Sequence, residues 1–285
     1  MRQLLKTEIW KAIHNPFFYA ALLVGVGLAI ADSFQIYQMV QEMIPLILDN
    51  PLGIIDPGGI SLFGLWMPIG NLTLGWYIFS LIWPILAATP FSWSLWKEKK
   101  DGSFAQIVSR VGRKKYLSAK LIAVFIAGGI IISLPIVLNL LMDALFCPVQ
   151  LPTPAYSYYP VFNGYFLSKV FYTHPWIYAG LWCLTTFILG GITACLPMIL
   201  GTIPRFRVLS MLFPFVLYML IQILVVSMYY SSTTLTEATP QISPLLMINA
   251  APPYANPWWS LLSVMGVLLL LSLGGGYLQV VKNEL

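Results

Sequence analysis

Several apolar runs in this chain exceed the roughly 18 residues that mark a membrane-spanning helix, and nothing else in the sequence constrains its fold as much. Hydrophobic residues make up 59% of the chain, charged residues 9%, and mean hydropathy is +0.81. A soluble domain of 285 residues would expose a large apolar surface at that composition, which water penalises and lipid does not. Backbone polar groups in hydrocarbon must be satisfied internally, so the spans fold as one helical unit. The expectation is an all-α polytopic membrane protein, a single transmembrane domain over residues 1–285 with about six transmembrane helices.

Residues Met1 to His14 read as an interfacial amphipathic helix. Leu5, Ile9 and Ile13 recur at helical spacing, and Arg2, Lys6, Glu8 and Lys11 supply a polar face. Asn15-Pro16 breaks this helix. The spans are expected at about 17–36, 72–94, 121–145, 176–200, 208–228 and 259–277. The apolar Phe17–Gly27 followed by Ala29-Ile30-Ala31 also has the pattern of a secretory signal, but the long amphipathic lead with Glu8 argues against cleavage. Gln38 to Gly70, with Pro45, Pro51, Pro57 and Gly58-Gly59, is too broken for a span and suits short interfacial helices. Pro84 and Pro90 are expected to kink the second span. Cys147–Pro175 is rich in tyrosine (Tyr156, Tyr158, Tyr159, Tyr165, Tyr172), as at a membrane interface. Tyr229–Trp258 reads as a polar connection carrying Pro240, Pro244, Pro252 and Pro253.

Basic residues set the orientation. With the N-terminus in the cytoplasm, every Lys and Arg of the 15 except Lys169 falls on the cytoplasmic side, Arg205, Arg207 and Lys282 included. Both termini are then cytoplasmic in a multi-pass protein of a bacterial inner membrane. The acidic residues Asp32, Glu42, Asp49, Asp56, Asp143 and Glu237 face out. The +5 net charge is therefore a topology signal, and no nucleic acid is expected as a partner. Cys147, Cys183 and Cys195 have no metal-site spacing and read as small buried hydrophobes.

The cytoplasmic loop 97–120, KEKKDGSFAQIVSRVGRKKYLSAK, holds the functional clue. Lys97 to Lys100 cap the second span beside anionic lipid. Gly102-Ser103 offers a turn and an N-cap for a short helix, Phe104 to Ser109, whose apolar edge is Phe104, Ile107 and Val108. Arg110 to Lys115 forms a second basic turn, and Lys120 snorkels at the base of the third span. Such a helix can dock another protein, or it can be a solvated charge run that only fixes topology.

The amphipathic opening with Glu8, Lys11, Asn15, Pro16 and Phe17 resembles that of type-2 ABC exporter permeases, the membrane-spanning subunits of ABC transporters. The loop is similar too: acidic Glu98, Gly102, the helix Phe104–Ser109, the basic turn Arg110–Lys115, then Lys120 entering the third span. The layout and length match across the whole chain. One departure is Val111-Gly112, where the family commonly has a proline before its basic turn. The resemblance implies that the short helix is a coupling helix seated in a separate ATPase subunit, with Gly102, Ser103, Phe104, Gln106, Ile107, Val108 and Arg110 as docking residues. It also implies a second copy, or a homologous permease, paired around the pathway.

No G-x-x-x-x-G-K-[ST] occurs, so ATP and Mg belong to the partner and no cofactor is expected on this chain. His14 and His174 fall on opposite faces, and no H-E-x-x-H or G-x-S-x-G appears, so an enzyme is not expected. Asp32 and Asp143 fall near outer span ends and read as water-exposed interface residues, which gives little support to an ion-coupled carrier. The function expected is an ATP-driven export permease for a hydrophobic or amphipathic cargo, a peptide or drug-like molecule, in contact with membrane lipid. The alternative is a membrane sensor or scaffold without transport activity; an intramembrane enzyme is the remaining rival.

Overall fold

The structure, a computed structural model, describes residues 2–49, 61–70, 72–152, 161, 165–200, 207–231, 242–251 and 257–281. These residues form helices and connections, with no strand among them. In chain order the helices are α1 (Arg2–Ile13), α2 (Pro16–Leu48), α3 (Leu62–Leu65), α4 (Met67–Gly70), α5 (Leu74–Ala88), α6 (Ser94–Lys100) and α7 (Ser103–Val111). Then come α8 (Arg113–Asp143), α9 (Ser168–Thr173), α10 (Pro175–Cys195), α11 (Arg207–Ser231) and α12 (Trp258–Val281). Short 3-10 turns occupy Leu196–Leu200 and Pro244–Ile248.

Four helices are long and apolar enough to cross a membrane: Pro16–Leu46, Arg113–Asp143, Pro175–Met198 and Met211–Met228. They stand at the first, third, fourth and fifth expected spans. Two further apolar helices, Leu74–Ala88 and Trp258–Gly274, stand at the second and sixth but are shorter. Leu23, Ile223, Leu224 and Leu270 are exposed on the long helices, which suits lipid rather than water.

Neighbouring helices alternate in direction. Asn15 Nδ2 donates to Pro90 O at 2.6 Å, while Thr73 Oγ1 donates to Asp32 Oδ1, so α2 and α5 run antiparallel. Helices α8 and α10 also cross antiparallel, and they do so through glycines. A Cβ on Gly128 would stand 2.8 Å from Gly190 O, and one on Gly190 would stand 2.9 Å from Gly128 O. Phe125 lies against Gly191 and Phe187 against Gly129, with the two rings edge to face at 5.8 Å. Small residues allow this approach where the hydrophobic effect cannot drive helices together.

Several boundaries differ from the sequence expectation. The first helix does not end near residue 36; α2 runs to Leu48 with Pro45 inside it. It therefore carries Asp32 near mid-helix. The second span does not reach residue 94: α5 ends at Ala88, and Pro90 lies in the turn before α6 instead of kinking a helix. Asn15 does break α1 from α2, and its Oδ1 accepts from Phe17 N at 3.0 Å, capping α2 with Pro16 in its first turn.

The connection around residue 244 is more buried than its polar reading suggests. Pro244, Leu245, Met247 and Ile248 are buried. Trp83 Nε1 donates to Leu245 O at 3.0 Å and Trp182 Nε1 to Ile248 O at 3.3 Å, so two span tryptophans hold the segment down. Tyr156, Tyr158, Tyr159, Arg205, Glu237, Pro240, Pro252, Pro253, Asp56 and Lys282 lie outside the described residues.

Candidate functional site

The basic residues of α1, α6, α7 and the start of α8 gather at one end of the bundle, and there α7 joins the spans. Two glycines bound α7. Gly102 has φ +74° before it and Gly112 has φ +86° after it, both in the region that L side chains rarely adopt. Gly112 is followed directly by α8 at Arg113, so no flexible linker separates the short helix from the span. Gly112 performs the sharp turn between α7 and α8.

The helix itself is Ser103–Val111, slightly longer than expected. Ser103 does not cap it. Gly102 holds the cap position, and Ser103 Oγ donates back to Glu98 O at 3.3 Å, tying α7 to α6. Phe104, Ile107 and Val108 are half-buried and turn toward the bundle. Phe104 packs edge to face on Tyr116 at 5.6 Å, with Lys99 Nζ 5.5 Å and Arg113 Cζ 5.7 Å from its ring. Burial first, and then the Arg113 charge, holds Lys99 below the usual lysine range. Ala105, Gln106, Ser109 and Arg110 are exposed, as is Gly102. The seven expected docking residues thus divide: Phe104, Ile107, Val108 and Ser103 hold the helix on the protein, while Gly102, Gln106 and Arg110 are exposed.

Beneath α7 lies an ion cluster. Lys120 does not snorkel; it is 0% exposed, because it sits on the α8 face that packs against α1. Its Nζ is 2.6 Å from Glu98 Oε2, 3.3 Å from Glu8 Oε2 and 2.9 Å from the Tyr116 hydroxyl. The Glu98 contact is ionic and lacks good hydrogen-bond angles. Lys11 Nζ meets the other Glu8 oxygen at 2.8 Å. Phe91 and Tyr116 place their rings 5.1 and 5.2 Å from the Lys120 ammonium.

Glu8 is 1% exposed, so it does not belong to the polar face of α1. Helix α1 consequently packs on α8 through a charge as well as through Ala12, where an interfacial helix would touch lipid alone. Two carboxylates and two ammonium groups balance. Such a cluster adds little net stability, yet loss of one member strands a buried charge. It joins α1, α6 and α8 at this end of the bundle.

At the other end a cavity of about 240 Å³ lies beside Phe63, Gln150, His174 and Trp176. His174 is at that end and His14 at the basic end, as the charge pattern implied. The three cysteines are free, with Cys147 and Cys195 buried. The chain matches no family model, no curated protein and no solved structure.

Proposed function

We propose that the chain is the permease subunit of an ATP-driven exporter in the bacterial cytoplasmic membrane. Helices α5 and α12 complete a set of six spans, and both termini are cytoplasmic. A separate ATPase subunit holds ATP and Mg²⁺ and seats α7. A second permease subunit, either another copy or a homologue, closes the pathway. The cargo is hydrophobic or amphipathic, of peptide or drug-like size.

One observation carries the reading. The helix α7 is clamped between two positive-φ glycines, continues directly into α8, and rests on the buried Glu8–Lys120–Glu98 joint while presenting Gln106 and Arg110 outward. A loop that only fixed topology would need basic residues but no rigid seat for a short helix. ATP-driven closure of two ATPase subunits would press on α7, and the joint would carry the displacement to α1, α6 and α8.

The test uses the outward face. Arg110→Glu combined with Gln106→Glu is expected to abolish association with the ATPase, with thermal unfolding of the purified chain unchanged. Phe104→Asp is expected to weaken both, since that ring is half-buried against Tyr116. Retained association in the Gln106/Arg110 double variant would remove α7 as the docking element.

A further inference from the structure

A second polar cluster lies toward the opposite end of α2 and α8, away from the basic joint. Asp32 and Ser33 of α2, Asn139 and Asp143 of α8, and Thr73 at the start of α5 are all buried there. The sequence placed both aspartates in contact with water; Asp32 is 1% exposed and Asp143 is 0%.

Asp32 is provided with donors. Thr73 Oγ1 donates to its Oδ1, and Asn139 Nδ2 donates to its Oδ2 at 2.8 Å. Asn139 Nδ2 also reaches Ser33 Oγ at 2.9 Å, and Asn139 Oδ1 accepts from Met67 N at 3.2 Å. One carboxylate charge is thus accommodated by hydrogen bonds.

Asp143 is less well provided. It sits one helical turn beyond Asn139, on the same face of α8, and the Asp32 charge acts on it. Both of its oxygens are buried; Ser33 is the side chain that hydrogen-bonds it, and no donor meets either oxygen with good hydrogen-bond angles. None of the ion pairs among the described residues includes either aspartate. The other titratable neighbour is Cys147, whose thiol is pushed up to about 12 by burial and then by Asp143, so it remains neutral. Two carboxylates therefore share one buried site in which only Asp32 has well-aligned donors on both oxygens. An uncompensated buried charge costs several kcal/mol, which a site of this kind does not sustain.

We propose that Asp143, beside Asp32 and Ser33, is a binding site for one small monocation, a proton or an alkali-metal ion. The hydrogen-bonded Asp32 supplies the fixed negative partner, and Asp143 supplies two buried acceptor oxygens that no donor meets with good angles. The site bridges α2 and α8 and touches the start of α5, so occupancy would fasten these three helices at this end. It goes beyond the exporter reading and does not depend on it, because it concerns no ATPase.

The experiment is thermal unfolding of the full-length purified chain in detergent, with two arms. One arm exchanges sodium for choline at fixed ionic strength and pH. The other changes pH at fixed sodium, with infrared detection of protonated carboxyl groups. If an alkali ion binds, sodium raises Tm by several degrees; if a proton binds, the infrared band of a protonated carboxyl is present and Tm changes with pH. Asp143→Asn, neutral and of equal size, is expected to fold and to abolish whichever response the wild type shows. An unchanged response in Asp143→Asn overturns the site. So does a wild-type chain with no sodium response and no protonated carboxyl, a result that needs no variant to fold.

Discussion

Lys120 and Glu8 meet in a buried space, and each is there because of its neighbours along the helix. Leu5, Glu8, Ile9, Ala12 and Ile13 form one stripe at spacings of three and four, and Glu8 lies inside it. Lys120 lies in the same way among Tyr116, Ala119, Ala123 and Val124, all buried. Asp32 does so with Ala29, Ser33 and Ile36. A charge within an apolar stripe is a buried charge with a partner elsewhere, and that signal is in the sequence. The identity of the partner is not, because Glu8 and Lys120 are brought together only by how α1 folds back on α8. Lys120→Met is expected to lower stability by about 3–5 kcal/mol, the cost of stranding a buried charge. Adding Glu8→Gln to it should recover part of that loss. Thermal unfolding of the two variants in detergent checks this, and a double variant no more stable than Lys120→Met alone would contradict the ion-pair account.

At the level of elements, the crossing of α8 and α10 is set by what is missing from the side chains. Gly128 and Gly190 let the backbones touch, and the Phe125 and Phe187 rings fill the flanks. A Cβ on Gly128 would meet Gly190 O at 2.8 Å and Ala87 O at 3.1 Å, both backbone atoms that cannot turn aside. Gly128→Ala is therefore expected to cost about 1–3 kcal/mol by overpacking. Gly27 has nothing within 4 Å of such a Cβ, so Gly27→Ala should be neutral or stabilise by up to about 1 kcal/mol through helix propensity. Equal Tm values for the two variants would contradict the close crossing. The long apolar helices were legible as runs, whereas their ends were not. The second expected span divides at Thr89–Trp93, where Pro90 has no N–H for the helix ladder and its carbonyl accepts from Asn15, a contact between residues 75 positions apart. The short helix α7 was legible from Gly102 and its apolar edge, but which edge faces the protein follows from Phe104 meeting Tyr116.

For the molecule as a whole, charge is sorted to one end and apolar surface to the sides. That division follows from composition and spacing alone, and the exposed leucines of α2, α11 and α12 agree with it. Toward each end lies a buried polar cluster, one neutral by ion pairing and one holding two carboxylates with no ion pair among the described residues. The basic end carries the reading that this chain works with an ATPase. The measurement that tests it most directly is purification of the tagged full-length chain from its own membranes, with identification and ATPase assay of the proteins that accompany it. The account predicts a stoichiometric P-loop ATPase that hydrolyses ATP and is lost from the Arg110→Glu, Gln106→Glu chain. A chain that purifies without any ATPase, at a yield where a stoichiometric partner would be seen, contradicts it.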